Sequence, residues 1–177
     1  MNKTLLIAAL IAGSGIAAFA PQAANAASSG TINFSGKVFA DTCTINVNGG
    51  STVTLPPVMV SAFGGAANTV AGATNFTIAL TGCDANMSSA QMAFSGTNVD
   101  ASTGNLKNSL SSNNSNVEIE LLSGASVVNT STQANAPKIT LASGAGSTSF
   151  TAQYISTAAT TTAGLVSSAV NFTLTYN

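Results

Sequence analysis

The side chains that could do acid–base, redox or metal chemistry in this 177-residue sequence are few. Histidine is absent, which removes the commonest general base and the commonest metal ligand. The acids are Asp41, Asp84, Asp100, Glu118 and Glu120, and they form no motif. Glu118 and Glu120 are the closest pair. Two carboxylates flanking a bond are what glycoside hydrolysis requires. Two residues apart in an alternating stretch, however, both side chains fall on one side of a strand, and the expected side is solvent. Serine and threonine are plentiful, but no base is placed to activate one as a nucleophile. The residues therefore point away from an enzyme, with no cofactor, metal or small-molecule substrate.

The two cysteines, Cys43 and Cys83, fit neither a CxxC motif nor a zinc-ligand spacing. Their meaning depends on the compartment. Lys3 gives a positive start, Leu5 to Phe19 is an uncharged and mostly apolar run, and Ala24-Asn25-Ala26 has the small-x-small form of a cleavage site. This is the layout of a secretory signal peptide, residues 1–26, cut between Ala26 and Ala27. The apolar run falls short of the ~20 residues a membrane span needs, and Gly13, Ser14 and Gly15 interrupt it. In an oxidising compartment an even cysteine count reads as one disulfide. Closing a loop of about 40 residues stabilises a fold by roughly 3–4 kcal/mol in the chain-entropy view.

Composition narrows the partners. Charged residues make up 5% of the chain, against roughly 25% in ordinary globular proteins. The net charge is −1, so there is no basic footprint for nucleic acid and no polybasic run for a lipid surface. Ser, Thr and Asn must keep the surface soluble, which is easier when most of that surface lies against a partner.

The elements that would position these residues are strands. Period-2 alternation, the mark of a strand with one buried face, recurs at Thr31–Ser35, Thr44–Asn48, Thr52–Leu55, Asn75–Leu80, Gln91–Ser95, Val117–Leu121 and Val170–Tyr176. Lys138–Leu141 and Ser149–Ile155 are shorter or mixed, and Ala66–Ala71 is a weaker candidate after Gly64-Gly65. Pro56-Pro57 ends the strand at Leu55, since proline cannot donate to a ladder. Turn clusters separate these runs, at Ser109–Asn116, Ser143–Ser147 and Ala158–Gly164. Short strands with turn signals every ten or so residues indicate an all-β sandwich, with a closed barrel as the other option.

Three features then converge. After the cleavage site the chain opens Ala27-Ser28-Ser29-Gly30-Thr31-Ile32-Asn33-Phe34-Ser35-Gly36-Lys37-Val38, with Gly30, Ile32 and Phe34 on one face of an extended segment. It ends in an alternating strand with Val170, Phe172, Leu174 and Tyr176 on one face, and Tyr176 is next to last. Gly164 is the fourteenth residue from the C-terminal end. With the Ala40-Asp41-Thr42-Cys43 entry to the first cysteine, the whole mature chain resembles the chaperone–usher pilins, in particular the major subunits of type 1 fimbriae.

The resemblance implies an incomplete immunoglobulin-like β-sandwich, the pilin fold, that lacks its final strand. Residues 27–35 would be an N-terminal donor strand and residues 36–177 the pilin domain. Gly30, Ile32 and Phe34 would enter the groove of another copy, in a head-to-tail homopolymer. Gly164, Val170, Phe172, Leu174 and Tyr176 would form the groove and the strand that binds a periplasmic chaperone. An outer-membrane usher would exchange that chaperone for the next subunit, and the product would be a cell-surface fimbrium. Physical reasons support such an exchange. An exposed apolar edge strand is an aggregation hazard, and a donated strand satisfies its backbone groups while alternate side chains fill pockets. A donation that does not close on itself builds a filament. The alternatives are a minor adaptor or terminating subunit, or a secreted carbohydrate-binding module, which would need exposed aromatic rings. Four N-x-[ST] matches, at Asn75, Asn86, Asn129 and Asn171, are of the number chance supplies in so Asn/Ser/Thr-rich a chain.

Overall fold

The structure is a computed structural model that describes residues 31–39, 42–47, 50–110 and 116–177. The chain divides into two units, Met1–Gly36 and Lys37–Asn177. The signal-peptide region, the cleavage residues Ala26 and Ala27, and Gly30 lie outside the described residues. In the first unit, Thr31–Gly36 carries no regular secondary structure, and Ile32 and Phe34 are 76% and 91% exposed. The alternation there encodes an extended segment, but a strand exists only with a neighbour to hydrogen-bond to.

The second unit is an all-β sandwich with no α-helix among the described residues. Its strands are β1 (Thr44–Val47), β2 (Val70–Thr81), β3 (Ser89–Ser95), β4 (Val117–Ser123), β5 (Ser126–Val127), β6 (Lys138–Thr140), β7 (Gly146–Ser156) and β8 (Asn171–Tyr176). One sheet has the order β1-β2-β7-β4-β5 and the other β6-β3-β8, and every pairing is antiparallel. The alternating runs land where their apolar faces can meet: Ile78 and Leu80 of β2, Met92 and Phe94 of β3, Leu121 of β4, Ile139 of β6 and Phe150 of β7 are buried in one core. Phe94 meets Phe150 edge-on across the two sheets, at 6.0 Å between ring centres, and Phe76 stacks on Phe150 at 5.3 Å.

Cys43 and Cys83 form the disulfide, with their Cα atoms 4.2 Å apart. They flank the end of the β1–β2 ladder, where Thr44 faces Thr81. Farther along, β2 carries a bulge between Ala71 and Thr74. Gly72 sits there at φ +65°, and a Cβ on it would come within 2.9 Å of the Tyr154 ring. Glycine is thus required twice over, by the backbone angle and by the close approach.

Three sequence expectations are corrected. Thr52–Leu55 is not a strand: β1 ends at Val47, Gly50 N–H closes a turn on the Val47 carbonyl, and the segment that follows has no ladder partner. Ala66–Ala71 is strand only from Val70, where β2 starts, and Ala67-Asn68 is a turn. The turn expected at Ser143–Ser147 is present at Ser143-Gly144, between Ala142 and Ala145, and β7 begins inside that cluster at Gly146. Glu118 and Glu120 share a face of β4, but that face is covered rather than solvated, and both residues are buried.

A candidate strand-acceptor groove

The most distinctive feature of the sandwich is a long opening into its core. β8 pairs with β3 along one edge, and its other edge has no strand partner among the described residues. Beside that free edge lie three hollows that share residues. The first, of about 310 Å³, opens over Phe76, Ile78, Phe94 and Phe150 and is flanked by Val53 and Leu55 on one side and Val170 and Phe172 on the other. The second continues between Ser51–Leu55 and Val166–Ser168. The third, of about 450 Å³, ends between Pro57–Val60 and Thr161–Val166, with Phe63 and Tyr154 at its base. Leu55 borders all three, so they form one groove.

The walls follow from local sequence. Pro56 and Pro57 have no N–H to offer, so residues 51–59 run along the opening without joining a sheet. On the opposite side the alternation of Val170, Phe172, Leu174 and Tyr176 places all four partly buried side chains against the core, with Asn171, Thr173 and Thr175 turned outward and exposed. Gly164 lines the third hollow. The structure therefore gathers Gly164, Val170 and Phe172 along one groove, and Leu174 and Tyr176 continue the same face of β8 beyond it. The opposite wall, from Val53 to Val60, and the floor at Phe76, Leu106, Ile119 and Phe150 were not singled out from sequence. The Val53/Leu55 alternation was the signal for the wall, and it marks an apolar face without saying what covers it.

The groove is uncharged. No Asp, Glu, Lys or Arg borders any of the three hollows. Burial alone pushes the Tyr154 phenol above its ordinary pKa. Among the described residues, Thr161 Oγ1 is the only buried side-chain polar atom without a hydrogen-bond partner, and Thr161 lines the third hollow. Buried polar groups are nearly always paired, so this atom marks a place where a partner is missing.

The acids lie elsewhere. Thr103 Oγ1 donates to Glu118 at 3.0 Å, and Gln153 Nε2 donates to Glu120 at 2.7 Å. Burial pushes the Glu118 carboxyl above its usual range, the Thr103 bond opposes this, and the nearby Asp100 charge adds to it. Asp100 itself is held below the usual range, chiefly by the Ser102 hydroxyl and backbone N–H. Glu118 thus braces the loop before β4, and Glu120 ties β4 to β7. No group of three His, Cys, Asp or Glu able to hold a metal occurs among the described residues.

Comparison with known proteins bears on the same architecture. The chain is 40% identical over 175 residues to the major fimbrial subunit SMF-1 of Stenotrophomonas maltophilia (strain K279a), covering 90% of this chain and 99% of that one. It is 36% identical over 173 residues to the F17 fimbrial protein of Escherichia coli, covering 92% and 95%. Among solved structures the sandwich resembles the P pilus rod subunit PapA, with a TM-score of 0.62 at 21% identity, over 77% of this chain and all of that one. The family model for fimbrial proteins matches residues 32–177. An incomplete immunoglobulin-like sandwich with relatives of this kind has one assignment: the chain belongs to the fimbrial protein family.

Proposed function

We propose that this protein is the major shaft subunit of a chaperone–usher fimbria and that it polymerises by donor-strand exchange. The observation that carries the proposal is the free edge of β8 above an open, uncharged hollow. That site calls for an uncharged, alternating strand. Thr31-Ile32-Asn33-Phe34-Ser35 has that character, and its Ile32 and Phe34 are exposed. In this reading residues 27–35 of one copy, with Gly30, Ile32 and Phe34 facing in, fill the groove of the next. Burying Ile32 and Phe34 contributes roughly 1.5–3 kcal/mol each. The identity to a protein called a major fimbrial subunit favours the shaft over an adaptor or terminating role.

The same groove must be covered before assembly, because an open apolar edge invites aggregation. A periplasmic chaperone is the natural cover, with an outer-membrane usher exchanging it for the next subunit. Export would begin with removal of residues 1–26 between Ala26 and Ala27. The role is structural rather than catalytic.

The test is fibre formation. Chains carrying Ile32→Asp and Phe34→Asp together should be exported, should bind the chaperone and should form no fibres by negative-stain microscopy. Normal rods from that variant would rule out the donor role. Unsubstituted chains that give no straight rods, but assemble onto other fibres, would favour a minor subunit.

A further inference from the structure

The groove wall before β8 is not a strand, yet its backbone is already sorted into two directions. Asn108 Nδ2 donates to the Leu165 carbonyl at 2.9 Å, and Asn108 Oδ1 accepts from Ser167 N–H at 3.0 Å. Ser109 N–H donates to the Ser167 carbonyl at 2.7 Å, and Asn98 Nδ2 to the Ala169 carbonyl at 3.3 Å. Residues 165, 167 and 169 thus turn their backbone groups toward the Asn98–Ser109 segment.

β8 keeps the same phase. Asn177 exchanges both backbone bonds with Ser89. In an antiparallel ladder hydrogen-bonded pairs alternate with non-bonded ones, so the pairs Leu174–Met92 and Phe172–Phe94 are non-bonded. The β3 side agrees: Met92 N–H goes to the Pro137 carbonyl and Phe94 N–H to Gln133 Oε1, both away from β8. From Leu165 to Asn177, then, odd-numbered residues face inward across the sheet. Within β8 the even-numbered residues direct N–H and C=O to the open edge.

We infer that Asn108 is a positioning residue that sets the phase of the acceptor edge, so that a strand from a second copy pairs with the backbone of Gly164, Val166, Ser168 and the even-numbered positions of β8. Asn98 and Ser109 extend the clip. This inference rests on the donor-strand reading above and adds to it what holds the acceptor edge in phase ahead of β8. Strand addition needs a continuous row of outward-facing groups. β3 supplies that order only as far as Ser95, where its pairing with β8 ends at Asn171. Beyond that point side chains must supply it, and Asn108 can do so because its amide both donates and accepts.

The test uses the full chain carrying Ile32→Asp and Phe34→Asp, mixed with a synthetic peptide of residues Ser28–Val38, with amide exchange read residue by residue by NMR. The expected result is slowed exchange on peptide addition at Val166, Ser168, Phe172 and Leu174, with Ser167 already slow before addition. Adding Asn108→Ala should free Ser167 and weaken peptide binding about tenfold, as the fraction of chains with a competent edge falls. New protection at Ser167 and Thr173 with the even positions unchanged would overturn the phase. Peptide binding unaffected by Asn108→Ala would overturn the role of Asn108. If Asn108→Ala fails to fold, the exchange pattern without it still decides the phase. No peptide binding at all would remove the donor-strand reading, and this inference with it.

Discussion

Leu80 and Phe76 stand on the same face of β2, yet Leu80 is sealed and Phe76 borders an open groove. The difference is in what flanks them. Ile45 of β1 pairs opposite Leu80, and the Cys43–Cys83 disulfide staples that end. At Phe76 β1 has ended, and the segment at residues 51–59 runs past without a ladder. One half of the sandwich is thus closed within the chain, and the other is open along the free edge of β8. A fold can bury most of its core and still hold one face in reserve, provided the closed half is stable enough to carry the open one.

The comparison can be broken first at its closed end. Leu80→Ala should destabilise the subunit by about 2–5 kcal/mol, the usual range for a leucine removed from a packed core. The loss, measured by urea unfolding, should be the same with and without the Ser28–Val38 peptide. Replacing Cys43 and Cys83 together by alanine should cost roughly 3–4 kcal/mol, given a sequence separation of 40. That loss, too, should be independent of peptide. A strong peptide dependence at either site would mean that the two halves are not separable.

The open end should respond differently. Phe172→Ala removes a ring that is only partly buried in the lone subunit. Its cost should be about 1 kcal/mol alone and should rise to about 2–3 kcal/mol once peptide covers it. Equal costs in the two states would contradict an empty groove.

The pattern of strands was legible in the sequence because period-2 alternation is local. Leu80, Met92 and Leu174 could be assigned to inward faces without knowing the fold. What alternation could not supply was the cover. Val53 and Leu55 alternate as a strand does, but they form a groove wall with no ladder. Glu118 and Glu120 were correctly placed on one face, but a loop carrying Thr103 and the neighbouring Gln153 bury it. Asn108 stands just before the Ser109–Asn116 run, whose composition reads only as turn, and nothing in the local pattern singles it out. The disulfide was readable because two cysteines allow one pairing.

The smallest effect concerns the covered acids, away from the groove. The folded pKa of Glu118 is raised, so its neutral form is favoured in the folded chain. Stability from this group is present below the ordinary value of 4.5 and is lost as pH rises through the higher folded value. Glu118→Gln should flatten that decline in urea unfolding at a series of pH values. It should leave peptide binding unchanged, since no carboxylate borders the groove.

The central claim is that the open half is completed by the N-terminal segment of another copy. The most direct measurement is the melting temperature of the full chain bearing Ile32→Asp and Phe34→Asp, with and without the Ser28–Val38 peptide. The account predicts a rise of several degrees that grows with peptide concentration, as expected when a ligand binds only the folded state. The same peptide carrying the two aspartates should give none. No shift from the soluble native peptide, or an equal shift from both peptides, would contradict it.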